Sequence, residues 1–184
     1  MRVLTISGSL RPDSYNALLL HAVEEQAPAD LELHPFEGLA DIPHFHGDRQ
    51  DSGPTPEAVQ RLRSQNQAAD AVLIATPEYN GSIPGVLKNA VDWASRPRED
   101  AALRDKTVAV AGASTGQFGA LWAQQDLRRV LGVAGARVVC PELPVGRAQD
   151  VCDETGGPSP LVAERLRTHI TELLREAVPM RVAA

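Results

Sequence analysis

Residues Ala71–Thr76 (AVLIAT) place the tightest constraint on how this chain folds. A run this short and almost continuously apolar reads as a central strand covered on both faces, as in a parallel sheet buried between helices. Further apolar runs bounded by turn residues occur at Val3–Ser7, Leu31–His34, Thr107–Ala111 and Arg137–Cys140. Segments with helical spacing alternate with them. The first runs from about Ser14 to Gln26, with Leu18, Leu19, Ala22 and Val23 on one face; others span Pro56–Ala69, Pro84–Ala94, Gly119–Leu131 and Ser159–Ala177. Pro56 and Pro84 sit where a first helical turn tolerates a missing amide, and Gly132 and Gly135 mark a stop after Leu131. Parallel neighbours need crossover helices, so the alternation predicts an α/β fold. It is a doubly wound, five-stranded parallel sheet in the order 2-1-3-4-5, with helices on both faces. No internal repeat or low-complexity linker interrupts the pattern, so residues 1–184 read as a single domain.

Composition narrows the class of partner. The net charge of -6 and pI near 5.3 provide no basic stripe to neutralise phosphates, which argues against nucleic acid. Lys88 and Lys106 are the only lysines; the other basic side chains are arginines, which can clamp phosphate through two parallel hydrogen bonds. Cys140 and Cys152 are read as reduced thiols of a cytosolic protein. Met1 and Arg2 lead directly into the strand VLTIS without a signal-peptide pattern, and no apolar run approaches the ~20 residues of a membrane span. The expectation is a cytoplasmic protein that does not enter a membrane.

In a doubly wound sheet, ligands bind beyond the carboxyl ends of the strands, where the strand order reverses. In the 2-1-3-4-5 order that point lies between strands one and three. The loop after strand one, GSLRPDSYN (Gly8–Asn16), follows Ser7 and contains Ser9, Arg11, Ser14 and Asn16. Hydroxyls, a guanidinium and the free amides of a helix start are the groups that bind a phosphate dianion. The plainer reading is helix capping, with Ser14 at the N-cap and Asp13 favouring the positive end of the dipole. Neither G-x-G-x-x-G nor G-x-x-x-x-G-K-[ST] is present, which disfavours dinucleotide and NTP sites. The loop after strand three, TPEYNGSIPG (Thr76–Gly85), sets an Asn-Gly turn behind Pro77. It is either an ordinary strand-to-helix turn or a stiff polar bed against which a flat heterocycle can lie. Facing each other across the switch point, the two loops suggest a phosphate site and a ring site, as a mononucleotide requires.

GSLR-x2-S-x-N followed by PEYNGS-x-PG-x-LKNA-x-DW resembles the NADPH-dependent FMN reductase family, which is flavodoxin-like in fold and includes quinone, azo-dye and chromate reductases. The resemblance runs from the first strand to about Val139, and its most specific part is Pro77–Trp93. It implies an FMN-dependent NAD(P)H oxidoreductase. Hydride would pass from NADPH or NADH through flavin N5 to a small acceptor such as a quinone, free flavin, azo compound or metal oxyanion. By the same resemblance, Ser9, Arg11, Ser14 and Asn16 would hold the FMN phosphate. Pro77, Glu78, Tyr79, Asn80, Gly81 and Ser82 would contact the isoalloxazine and ribityl chain, largely through backbone groups. Ser114 and Gly116, in the loop Ala113–Gly119 after strand four, would close over the ring. Family members often carry a double glycine near the end of that loop; here Phe118 replaces the first, as either a core or a ring-facing residue.

No side chain is assigned as general acid or nucleophile, because the flavin carries the chemistry. The other reading is a flavodoxin-like electron carrier or a non-catalytic FMN-binding protein. An aromatic content of 4% and a moderate charge favour the reductase. The resemblance also implies a homodimer or homotetramer, with the loop after strand two near the partner subunit. In that loop His44 and His46, with Asp48, are too few to make a metal site, and none is expected. Cys140 and Arg147 are spaced by six residues late in the chain, a poor match to a phosphatase loop. Trp93, with Leu87 and Val91, reads as packing on a helix face or subunit interface.

Overall fold

The computed structural model describes residues 1–28, 30–151 and 158–177. Strands β1 (Arg2–Ser7), β2 (Glu32–Pro35), β3 (Ala71–Ala75), β4 (Thr107–Ala113), β5 (Arg137–Val138) and β6 (Leu143–Val145) form one parallel sheet in the order β2-β1-β3-β4-β5, with β6 also on β4. The helices are α1 (Tyr15–Gln26), α2 (Gly47–Ser52), α3 (Glu57–Ala68), α4 (Gly85–Ala94), α5 (Leu121–Val133) and α6 (Pro160–Ala177). As its composition requires, β3 lies at the centre: Val3–Ser7 pair with Ala71–Ala75 on one edge and Thr107–Ala111 on the other.

Side chains alternate between the faces with the period of two that a strand imposes. Leu4, Val72, Ile74, Val108 and Val110 pack under α3, α4 and α5, against Leu62, Leu87, Trp93, Leu127 and Leu131. Val3, Ala71, Leu73, Ala109, Ala111 and Ala113 face α1 and α6, against Leu19, Val23, Leu166, Ile170 and Leu173. The two faces differ in side-chain bulk: alanines dominate beneath α1 and α6, which lets those helices approach the sheet closely.

The fifth strand departs from expectation. In place of one strand over Arg137–Cys140, two short strands share the outer edge of β4. β5 pairs with Thr107–Val108, and β6 with Ala111–Ala113. Between them Cys140 takes φ +59°, Pro141 follows, and the Arg128 guanidinium donates to the carbonyls of Val139 (3.2 Å) and Cys140 (2.6 Å). A left-handed residue followed by proline cannot continue a ladder. β2 begins one residue later than predicted and ends on Pro35, which an edge strand tolerates. α5 begins at Leu121, later than Gly119, because Gly119 and Ala120 both hold φ +59°. The short helix α2, after the histidine-containing loop, had no counterpart in the expected elements.

Candidate functional site

The loops leaving β1, β3 and β4 form one cluster at the carboxyl edge of the sheet. In the first, Gly8 N donates to the Ala75 carbonyl (2.8 Å). A Cβ at position 8 would stand 2.9 Å from Leu87 Cδ2 and 3.3 Å from Pro77 Cδ, so glycine lets loops one and two lie against each other. Ser14 caps α1, its Oγ accepting from Ala17 N at 3.1 Å. Ser7 Oγ accepts from Ser9 N, and Ser9 Oγ accepts from Arg11 N, both at 3.3 Å. Capping and an anion site are compatible here. The Ser9 and Ser14 hydroxyls keep their own protons to donate, whereas Ser7 Oγ donates to the Ser9 carbonyl (3.3 Å); the Tyr15 and Asn16 amides of the first turn have no intrahelical acceptor. The Arg11 side chain is exposed and forms no ion pair among the described residues.

Asn16 is placed differently from the other first-loop candidates. Its side chain is buried, with Nδ2 donating to the Ala113 carbonyl (3.1 Å) and Oδ1 accepting from Ala113 N (2.9 Å). That bidentate clasp ties the start of α1 to the end of β4 and uses one N–H and the carbonyl oxygen of the amide. What Asn16 offers an anion is its main-chain N–H and its hold on the neighbouring strand.

In the second loop, Tyr79 and Ser82 bridge through Tyr79 N to Ser82 O (3.0 Å) and Ser82 N to Tyr79 O (3.2 Å). Asn80 (φ +54°) and Gly81 (φ +76°) fill the central positions, the type I′ pattern that Asn-Gly favours. The bridge leaves the Asn80 and Gly81 amides unused at the tip. Glu78 Oε2 accepts from Ala123 N (3.1 Å) in the first turn of α5, supplying the cap that Ala120 lacks. Ser82 Oγ donates to Asp126 Oδ2 (2.6 Å); this bond first, and Arg129 second, hold the Asp126 carboxyl below the usual carboxylate range. With these side chains turned to α5 and Pro77 buried, the loop presents main chain and the exposed Tyr79 ring.

The third loop is pinned from behind. Ser114 N donates to Val145 O, Ala148 N to Ser114 O, and Arg147 N to Gly116 O, at 3.1, 3.0 and 2.9 Å. A Cβ on Gly119 would lie 2.5 Å from Val145 N, and one on Gly146 would lie 2.2 Å from Gln117 O. The fully buried Gln124 completes the support, donating to Gly119 O (3.0 Å) and accepting from Leu143 N (2.9 Å). Gln124, Asp126 and Gly146 were not among the sequence candidates. A polar residue one turn before Leu127, on the apolar face of α5, is the signal that marks Gln124. Phe118 is not a core residue: it is half-exposed, with its ring 4.9 Å from that of Trp122.

The histidine-containing loop is tied to α4. Asn89 Nδ2 and Trp93 Nε1 donate to the Pro43 carbonyl (3.0 and 2.8 Å), and Phe45 packs edge-on to the buried Trp93. His44 and His46 are exposed, and no cluster of three or more His, Cys, Asp or Glu forms among the described residues. Burial pushes the Cys140 thiol up to about 12, so it is no nucleophile. Cys152 lies outside the described residues. No described helix is long and apolar enough to cross a membrane.

The donor set fits a flavin mononucleotide: hydroxyls, a free guanidinium and helix-start amides for a phosphate, beside main-chain donors on a rigid turn for a ring. Comparison with known proteins agrees. The model of the NADPH-dependent FMN reductase family matches residues 1–150. An NAD(P)H-dependent FMN reductase of Pseudomonas aeruginosa is 43% identical over 157 residues, covering 85% of this chain and 83% of its own length. A quinone reductase of Escherichia coli is 39% identical, covering 85% and 84%. Among solved structures, FerB, a flavoenzyme NAD(P)H:(acceptor) oxidoreductase from Paracoccus denitrificans, superposes with a TM-score of 0.83 at 32% identity, covering 95% of this chain and 97% of its own. A flavodoxin of Pseudomonas aeruginosa, at 21% identity and TM-score 0.59, shares the fold. This chain therefore belongs to the NADPH-dependent FMN reductase family, FMN-dependent oxidoreductases of flavodoxin-like fold.

Proposed function

We propose that this family member passes the reducing equivalents of NAD(P)H to a quinone, and that its three-loop cluster is the FMN site. The observation that carries the assignment is the pairing of two unsatisfied donor sets on adjoining loops. One is the Arg11 guanidinium with the first-turn amides of α1; the other is the Asn80 and Gly81 amides at the tip of the I′ turn. Ser9, Arg11 and Ser14, with the Asn16 amide, hold the phosphate. Residues 77–82 and the Ser114–Gly116 segment flank the ring, while the Asn16 clasp and the Glu78 cap keep the loops at fixed separation. Held there, FMN would supply hydride-transfer chemistry, for the overall balance NAD(P)H, H⁺ and quinone to NAD(P)⁺ and hydroquinone. Amides held on a stiff turn stabilise negative charge without reorganising. The quinone as acceptor is supported by relatives that carry quinone reductase in their names.

Assembly as a homodimer or homotetramer in the cytoplasm belongs to the same proposal. For the assembly, the supporting surface is a groove of about 590 Å³ between α4 and α5, largely polar and charged in lining, with the strongly exposed Val133 at it. The electron-carrier alternative has only the shared fold behind it.

Purified protein is expected to take up FMN at micromolar concentration, and NADPH to bleach the bound flavin; failure of either sinks the proposal. Arg11→Ala is expected to weaken FMN by about tenfold, one charge-assisted hydrogen bond at an exposed site, with little effect on riboflavin. Equal losses for the two ligands would show that Arg11 does not read the phosphate.

A further inference from the structure

We infer that Phe118 and Trp122, with Tyr79 and Leu10, form an apolar rim that selects planar fused-ring quinones as acceptors, an inference that rests on the function proposed above. Tyr79, Phe118 and Trp122 are 52%, 49% and 48% exposed, the exposed aromatic side chains among the described residues, and Leu10 in loop one is 51% exposed. The remaining exposed large apolar residues, Met1, Val133 and Leu161, lie on other parts of the surface.

The four rim residues come from all three loops of the site and the first turn of α5. Bonds already described tie these segments together. Ala113, at the head of loop three, is clasped by Asn16 of loop one, and Ala123 N bonds the Glu78 carboxylate next to Tyr79. Trp122 and Asp126 are one turn apart on α5 and so share a face, and Asp126 is bonded to Ser82 at the foot of the same turn. Trp122 therefore stands on the face of α5 that meets loop two, and Phe118 packs against it at 4.9 Å with an interplanar angle of 58°.

Exposed aromatic rings are costly in a protein of low aromatic content, since each can bury roughly 150–250 Å². Their confinement to one edge marks a surface for a flat apolar ligand. The bed between the loops is polar and main-chain; the rim is apolar and aromatic. A fused two-ring quinone matches that division, with its carbonyl oxygens toward the amides and its second ring against Phe118 and Trp122. A single-ring quinone leaves the rim unfilled, and a hydrated oxyanion gains nothing from it.

The test uses FMN-loaded enzyme. The Kd of 1,4-naphthoquinone for the oxidised protein is measured by calorimetry without reductant, and the kcat/KM ratio of 1,4-naphthoquinone to 1,4-benzoquinone is measured with NADPH. Phe118→Ala and Trp122→Ala are each expected to raise that Kd and lower that ratio by about three- to tenfold, the worth of one aromatic contact, through KM more than kcat. Trp122→Phe is expected to recover most of the loss, which a folding defect would not allow. Leu161→Ala, a change at a still more exposed apolar residue on α6, is the control and leaves both values unchanged. Unaltered Kd and ratio in both alanine variants would overturn the rim. Wild-type flavin that NADPH does not bleach would instead overturn the underlying function, while the calorimetric Kd would still report on the rim.

Discussion

Replacing Asn16 with alanine separates a phosphate ligand from a clasp, and the structure gives the size of the effect. Both polar atoms of the buried Asn16 amide are bonded to the buried Ala113, at 3.1 and 2.9 Å. Truncation strands one N–H and one C=O, each at about 1–3 kcal/mol, so the loss is about 2–6 kcal/mol. For a chain of this size that corresponds to a fall in Tm of roughly 4–24 °C. Because the clasp sets the separation of loops one and three, FMN and riboflavin binding should weaken by the same factor, in contrast to Arg11→Ala. Asn16→Asp keeps the acceptor for Ala113 N but sets a carboxylate against the Ala113 carbonyl, so it should be no milder than alanine. Thermal unfolding of the FMN-free protein, followed by circular dichroism, gives the first quantity, and flavin fluorescence titration gives the second. An unchanged Tm with a loss confined to FMN would refute the clasp and make the Asn16 side chain a phosphate ligand.

Two further predictions concern stability. Burial first, then the Arg128 charge, depresses the His169 pKa from 6.5 to about 4. The unfolded chain therefore takes up the proton between those values, and stability present above pH 6.5 is lost as pH falls toward 4, by about 3 kcal/mol. Urea unfolding midpoints across that range should show the loss, and His169→Leu should flatten it; an identical slope in the variant would remove His169 as the cause. Gly146→Ala should destabilise by several degrees of Tm, because its Cβ would meet Gln117 O at 2.2 Å against rigid backbone. Gly132→Ala, with nothing within 4 Å, is the matched control and should not lower Tm.

The strand alternation was legible because β1, β3 and β4 are apolar on both faces, and no competing element has that pattern. β6 was not: Leu-Pro-Val is too short and proline-bearing to read as a strand, and the bond that seats Leu143 comes from a glutamine nineteen positions earlier. The Asn-Gly turn could be read directly, since two consecutive positive φ values suit that pair. The partners of Glu78, Ser82 and Asn16 could not. Each side chain is the kind that meets a ligand, and each bonds an element remote in sequence, which composition and spacing do not encode. His169 occupies a core position of α6 beside Leu166, Ile170 and Leu173, so its burial was readable from helical spacing alone.

The break between β5 and β6 has a consequence for motion. β6 is joined to β4 over only three residue positions, yet Val145 and the residues after it anchor the back of loop three. Because Cys140 and Pro141 interrupt the ladder, the end of that edge can open while β5 stays paired with Thr107 and Val108. Amide protons of Leu143, Val145 and Arg147 should then exchange with deuterium by a sub-global route, faster than those of β3 and in step with Ser114. On that expectation the wall of the site opens as a unit of its own, still bonded to loop three, while the centre of the sheet stays closed.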